Sequence, residues 1–576
     1  MKGTKQRGIY KAQEINSYRE LLEMVEEKYS KNIAYKYKKD SSAKEPEYIE
    51  KTYEQYIKDI KALSTSLLEL GIENKKVALI GSNRYEWCTT YMATTTGNMI
   101  IVPLDKALPD NEIESLITRS EAEVVVFDKK YIDVMLKIKE NKENNVNILI
   151  CMDNEEVQGI EKYKDILEKG YKLLENGDTR YEKIEINNKE MSIMLFTSGT
   201  TNLPKAVMLS QYNICSDLSS IATWVKIYDT DTLLSFLPIH HTFECTITFL
   251  YGLYSGATVA FCDGLKYIQK NLKEYKISVF VAVPLVLETM YKKIQKGIEE
   301  QGKTKLISIV SKISNTLLKC KIDLRKVFFK QVLDQFGGNL RVVLYGAAPM
   351  NKETIIGYNN LGIQLIQGYG LTETSPVISA ETDKEKRPGS VGLVFDNLEV
   401  KIENPDKDGI GEIIVKGPNV MMGYYKNEEE TNKVLKEGWF KTGDFGYLDK
   451  DEFLYVTGRK KDIIVLKNGK NVYPQEIEFL INKLPYVTES LVYQREQSNT
   501  DTMLCAKIVY DKELIKECLG EKTEEGYKEE IWNDIKEINK TLPIFKHIKN
   551  ITITTEGLVK TTTQKVKRYE ELKRVN

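Results

Sequence analysis

Residues Thr197-Ser198-Gly199-Thr200-Thr201-Asn202-Leu203-Pro204-Lys205 gather hydroxyls around one glycine, directly after the short apolar run Met194-Leu195-Phe196 and just ahead of a lysine. Backbone N–H groups, hydroxyl donors and one ammonium in so short a loop suit an anion as highly charged as a triphosphate. The GxxxxGK[ST] spacing is absent, so this is not a Walker loop. The same composition also makes an ordinary surface turn, and taken alone the loop leaves both readings open.

Six further segments follow in order. They are Leu237-Pro238-Ile239-His240-His241-Thr242-Phe243-Glu244, Arg341-Val342-Val343-Leu344-Tyr345-Gly346-Ala347-Ala348-Pro349-Met350 and Gln367-Gly368-Tyr369-Gly370-Leu371-Thr372-Glu373-Thr374, then Gly438-Trp439-Phe440-Lys441-Thr442-Gly443-Asp444, Thr457-Gly458-Arg459-Lys460-Lys461-Asp462 and Lys560-Thr561-Thr562-Thr563-Gln564-Lys565. Together with the first loop they resemble the ordered motifs of the adenylate-forming superfamily, which includes acyl-CoA synthetases, the adenylation domains of peptide synthetases and firefly luciferases. The resemblance spans nearly the whole chain and is closest to bacterial long-chain fatty acyl-CoA synthetases.

That resemblance implies ATP, CoA and Mg²⁺ as reactants and cofactor, and it assigns roles. Thr197, Ser198, Gly199, Thr200, Thr201 and Lys205 would hold the phosphates. Gly346, Ala347 and Ala348, with Gln367, Gly368, Tyr369 and Gly370, would form the adenine pocket, where a flat ring can stack and glycines let backbone approach. Glu373 offers a hard oxygen suited to Mg²⁺, with Thr200 as the second metal contact and Thr372 a hydroxyl for phosphate. Asp444 would accept hydrogen bonds from the ribose hydroxyls, with Arg459 beside it. Lys565 matches the mobile catalytic lysine, Lys461 the hinge and Gly469 the glycine lining the pantetheine path. His241, one of three histidines, stands at the family's histidine position beside the acyl and thiol sites, either as a base or as a shaping group. Asn202, Ala206, Gln211 and Gln564 depart from the family pattern, where glycine, glycine, histidine and glycine are common.

The implied reaction joins a carboxylate to ATP as acyl-AMP with release of pyrophosphate, then transfers the acyl group to a thiol. Positioning and electrostatic stabilisation carry such a reaction without a covalent enzyme intermediate. A fatty acid and CoA are the expected substrates. An acyl-carrier protein as acceptor, another carboxylic acid, or a non-catalytic nucleotide- or lipid-binding protein are the alternatives. With eleven residues after Lys565, no fused carrier domain is expected.

These residues need rigid elements beneath them. Val77-Ala78-Leu79-Ile80, Met99-Ile100-Ile101-Val102, Val124-Val125-Val126-Phe127, Val279-Phe280-Val281-Ala282-Val283 and Leu340-Arg341-Val342-Val343-Leu344 are apolar runs separated by helical patterns. They predict an α/β fold of stacked, mostly parallel sheets whose strand ends carry the ligand loops. Residues 1–460 would form a large AMP-binding domain with a helical excursion over about 292–330 and a β-rich part over about 380–460. Residues 461–576 would form a small mobile α+β domain. The excursion holds eleven Lys and Arg against Glu299, Glu300 and Asp323; such a helix suits either a solvated face or peripheral contact with a membrane surface.

Composition narrows the class. The 576 residues are 41% hydrophobic and 29% charged, as in a soluble globular protein of more than one domain. A net charge of −1 gives no field for nucleic acid. Eight cysteines without CxxC pairing argue against zinc or a disulfide framework. No secretory signal and no run of ~20 apolar residues is present, so a cytoplasmic protein is expected, with peripheral contact at the inner membrane surface left open.

Overall fold

Each of the five apolar runs becomes a buried strand paired in parallel with another: Lys76–Ile80, Ile100–Leu104, Val124–Phe127, Val279–Ala282 and Val342–Tyr345. Branched side chains facing apolar layers on both sides remove the alternation that a half-exposed strand would show. The computed structural model describes residues 7–197, 204–348, 350–466, 471–498, 501–560 and 566–575.

Two compact units result, one of residues 1–399 and 415–440, the other of residues 400–414 and 441–576. The first is built on two large sheets. One has eight strands, in the order Gly423–Tyr424, Lys205–Ser210, Met191–Thr197, Ile100–Leu104, Lys76–Ile80, Val124–Phe127, Ile148–Cys151 and Glu161–Lys162. The other has nine: Leu393–Val394, Val377–Ala380, Gln364–Gly370, Val342–Tyr345, Val279–Ala282, Thr232–Ser235, Thr258–Phe261, Ile33–Lys38 and Tyr48–Thr52. Both are parallel through the centre and antiparallel at an end.

The helices that cover the sheets carry legible start signals. Gln211–Trp224 begins at Ser210, whose hydroxyl accepts from the Asn213 amide at 3.1 Å while the Asn213 side chain accepts from the Ser210 amide at 2.8 Å. Tyr85–Thr96 is buried on every side. Thr89, Thr90, Thr95 and Thr96 satisfy their hydroxyls within the helix, Thr89 and Thr95 donating to the carbonyls of Tyr85 and Tyr91 at 2.9 Å. Pro284–Glu300 and Thr304–Lys319 occupy the basic stretch. Ile307 and Val310 pack on the core there, while Leu306, Ile309 and Ile313 are at least half exposed. Among the described residues no helix is long and apolar enough to cross a membrane. Five cysteines are buried, Cys320 and Cys518 are exposed, and none is paired.

In the second unit Val487–Ser498, Asp501–Tyr510 and Ile548–Thr554 form a three-stranded sheet, antiparallel then parallel. Helices Pro474–Ile481 and Glu524–Lys540 bury Ile477, Ile531 and Ile535 in one core with Val492 and Ile508. A hairpin of Trp439–Leu448 with Leu454–Arg459 precedes them. This is the α/β fold with a smaller α+β part.

Gly370 fixes one sharp feature, because the strand Gln364–Gly370 must pass directly over Pro376. A Cβ at 370 would stand 1.7 Å from the Pro376 carbonyl oxygen, a backbone atom that cannot swing aside. Gly370→Ala is therefore expected to destabilise the protein by about 1–3 kcal/mol. Urea unfolding checks this, and an unchanged midpoint would show that the bend gives way without cost.

Candidate functional site

The first loop joins two antiparallel strands. Met191–Thr197 and Lys205–Ser210 pair antiparallel with Thr197 opposite Lys205, and the Thr197 hydroxyl donates to the Lys205 carbonyl at 3.4 Å. The strands thus fix both ends of the loop, while Ser198, Gly199, Thr200, Thr201 and Asn202 lie outside the described residues. Ala206 lies in the second strand opposite Phe196, its carbonyl accepting from the Tyr425 amide at 2.8 Å. Extended backbone accepts alanine as readily as glycine, so this departure from the family pattern carries no strain. Gln211 is buried: its side-chain oxygen accepts from the Tyr18 amide at 2.9 Å, and its nitrogen donates to the Thr95 carbonyl at 2.8 Å.

The adenine-pocket candidates sit where two neighbouring parallel strands end. Val342–Tyr345 pairs with Gln364–Gly370 so that Tyr345 faces Gln367, and the Tyr345 hydroxyl donates to the Gln367 side-chain oxygen at 3.0 Å. Gly346 follows at close quarters, since a Cβ there would lie 2.9 Å from the Gly368 carbonyl oxygen. Ala347 takes a left-handed φ of 72°, and with Ala348 it turns the backbone into solvent. Such a φ in a residue with a Cβ costs roughly 1 kcal/mol, and positions of this kind concentrate at binding sites. Gly368 and Tyr369 are half-buried and Gly370 is exposed.

Thr372 and Glu373 come next, in a single 3-10 turn. The Thr372 hydroxyl is 3.4 Å from that of Thr242, which brings the His241 segment to the same edge. Glu373 is half-buried and accepts from the Tyr424 hydroxyl at 3.1 Å, while its carbonyl accepts from the Met421 amide at 2.9 Å. Among the described residues no three His, Cys, Asp or Glu side chains converge as a metal cage. One held carboxylate is instead the donor set of a Mg²⁺ that arrives with phosphate and keeps phosphate and water oxygens as its other ligands, and Glu373 fits that use.

Tyr424 links Glu373 to the lysine of the first loop. The Lys205 ammonium lies 4.9 Å from the Tyr424 ring centre and makes an ion pair with Glu430. Glu430 also pairs with Lys433 at 2.7 Å. Lys205 first, and Lys433 with it, hold the Glu430 carboxyl down to about 2.

His241 starts the turn Thr242–Glu244, its Nδ1 accepting from the Phe243 amide at 3.3 Å. His240 lies 3.7 Å from Asp105 and lines a small apolar cavity with Tyr91, Pro103, Leu195, Ile214 and Cys245. Burial lowers its basicity. Glu244 is fully buried at the head of the π-helix Cys245–Leu250. It accepts from the hydroxyls of Ser235 at 2.7 Å and Thr248 at 2.9 Å, and Asn83 donates to Ser235 in turn at 2.8 Å.

In the second unit Asp444 and Arg459 face each other across the hairpin. Asp444 is buried to 4% exposure, and Arg459 Nε donates to its carboxylate at 2.7 Å. Lys461 is exposed in the turn Lys460–Asp462. Gly469 and Lys565 lie outside the described residues, the latter flanked by an antiparallel bridge between Lys560 and Val566. In the first unit the structure thus gathers Gly346, Ala347, Gln367, Tyr369, Thr372 and Glu373 at one edge. Tyr424 and Glu430 were not legible as site residues, because Tyr424 meets Glu373 across 51 residues and Glu430 meets Lys205 across 225.

Residues 22–425 match the family model described as AMP-binding enzyme, and residues 461–574 match AMP-binding enzyme C-terminal domain. The chain is 27% identical over 494 residues to fatty acyl-CoA synthetase B of Dictyostelium discoideum, covering 80% of this chain and 72% of that one. It is likewise 27% identical to long chain acyl-CoA synthetase 4 of Arabidopsis thaliana, covering 82% and 76%. Among solved structures, the Mycobacterium tuberculosis fatty acyl CoA synthetase superposes with a TM-score of 0.66 at 21% identity, covering 97% and 98%. The o-succinylbenzoate CoA synthetase of Bacillus subtilis in complex with its acyl-adenylate gives 0.72 at 21% identity, covering 98% of both chains.

Complete burial raises the Glu244 carboxyl to about 8. The folded state then binds this proton more tightly than the unfolded state, whose carboxyl stays near its ordinary value of about 4.3. The contribution is fully present below that value and is lost as pH rises to about 8, at roughly 1.4 kcal/mol for each pH unit crossed. Glu244→Gln should flatten this fall between pH 5 and 8. Thermal melts across that range decide, and equal slopes in the two proteins would refute the assignment.

Proposed function

The chain belongs to the AMP-binding enzyme family, and we propose that within it this protein activates a fatty acid with ATP and transfers the acyl group to CoA. The observation that carries this reading is the convergence at one edge of the first unit. There the turn Gly346-Ala347, the strand end Gln367–Gly370 and the Thr372–Glu373 turn adjoin the Thr242 hydroxyl. Long-chain acyl-CoA synthetases among the relatives support the acid's class.

In this reading the loop from Thr197 to Lys205 holds the β- and γ-phosphates, and the glycine-lined edge with Tyr369 receives adenine. Thr372 donates to a phosphate oxygen, and Asp444 accepts from the ribose hydroxyls with Arg459 fixing its carboxylate. A Mg²⁺ carried by the nucleotide would be held by Glu373 and Thr200, and it supplies charge neutralisation on the phosphoryl oxygens. The substrate carboxylate attacks the α-phosphorus, the bond to the β-phosphate oxygen breaks, and pyrophosphate leaves. Lys565 neutralises charge as that attack occurs. Lys461 at the start of the second matched segment serves as hinge. Gly469 then lines the path of a thiol that attacks the acyl carbon, expelling AMP and losing its proton to solvent. His241 shapes the acyl site.

Pyrophosphate release by the purified protein across a panel of acids, with CoA or with an acyl-carrier protein, tests the whole scheme. Turnover with long-chain acids and CoA is expected. Turnover only with the carrier protein reassigns the acceptor, and ATP binding without turnover on any acid points to a binding protein.

Lys565→Ala should lose adenylation by at least 100-fold while largely sparing thiolation of supplied acyl-AMP, since only the first half-reaction places its charge at the α-phosphate. Equal loss in both half-reactions would remove that role.

A further inference from the structure

Glu430 touches the phosphate-loop lysine, yet no part of the scheme above uses it. It stands in the first turn of Glu428–Val434, whose start is capped by Asn427 accepting from the Glu430 amide at 3.1 Å. Its carboxylate is divided between two ammonium groups. One oxygen takes Lys205, whose side chain is 15% exposed, and the other takes Lys433, whose side chain is 55% exposed. Tyr424 packs under the same lysine and donates to Glu373. A half-buried ammonium, an aromatic face and two carboxylates therefore share one small region of the first unit.

This arrangement has the charge pattern of a stand-in ligand. A triphosphate that reaches Lys205 meets a carboxylate already bound there, and two anions on one ammonium repel. Lys433 changes the cost of resolving that conflict. When Lys205 turns to phosphate, Glu430 keeps a partner and no half-buried charge is left alone.

We propose that Glu430 is a positioning residue that holds the Lys205 ammonium in the place of a terminal phosphate and yields it to the β- or γ-phosphate of ATP, falling back on Lys433. The proposal rests on the reading of Thr197 to Lys205 as the triphosphate loop. It makes nucleotide selection depend on charge beyond the α-phosphate. AMP has nothing to displace Glu430 with and leaves the pair intact, whereas ATP must break it.

Calorimetric affinities of full-length protein for Mg²⁺–ATP and for AMP, without any acid, test this. Glu430→Gln should tighten ATP by roughly 3- to 5-fold, the size of a partly exposed ion pair, and leave AMP unchanged. Lys433→Met should weaken ATP alone, and it should have no effect in the Glu430→Gln background. An ATP affinity that is unaltered, or that moves together with AMP in Glu430→Gln, overturns the proposal and leaves Glu430 a structural anchor of its helix. Failure of the wild-type protein to bind ATP defeats the triphosphate-loop reading, and this proposal with it.

Discussion

The site depends on the backbone ladder between Val342–Tyr345 and Gln364–Gly370. Parallel pairing sets Tyr345 beside Gln367, so both strands stop at one edge and release their loops side by side. A one-residue slip would move every side chain of a strand to the opposite face, and it would take Gly346 out of its close approach to the Gly368 carbonyl. Two close approaches then require missing side chains: Gly346 against the Gly368 carbonyl, and Gly370 against Pro376. The hydroxyl, carboxylate and ring that follow are placed by this register and need little support of their own.

Local signals made much of this legible. Unbroken apolar runs marked the central strands because both sheet faces are covered, and the glycines at 346 and 370 stood where backbone approaches backbone. Long-range charge pairing could not be read. Lys205 meets Glu430 across 225 residues, and nothing near either residue announces the other. Glu244 lies in a motif, and the hydroxyls that hold it, Ser235 and Thr248, are only nine and four residues away, yet its complete burial comes from the packing around it. Gln211 shows the reverse case. Where the family often has histidine, two backbone groups and a buried setting use both ends of an amide, so the departure is a matched substitution.

A chain close to neutral overall builds its anion site by subtraction. Many of its lysines and acids pair with one another, as Glu121 does with Lys76 and Lys426. Within such a pair the two fields largely cancel, whereas a charge left partly committed keeps more of its own. Lys205 shares a carboxylate that has another partner, and Glu373 holds a tyrosine hydroxyl instead of a cation. Both are stabilised enough to stay in place and remain open to exchange.

The strand Ile33–Lys38 pairs with Thr258–Phe261 in the nine-stranded sheet, and the Thr258 hydroxyl closes on the Ile33 carbonyl across 225 residues. A ribosome adding about 5–20 residues per second needs roughly 10–45 seconds to deliver the second strand after the first. For that interval the N-terminal hairpin of Ile33–Lys38 with Tyr48–Thr52 has one edge without its neighbour. During synthesis it is a nascent sheet edge open to chaperones, and its completion is a clock for the emergence of the central strands.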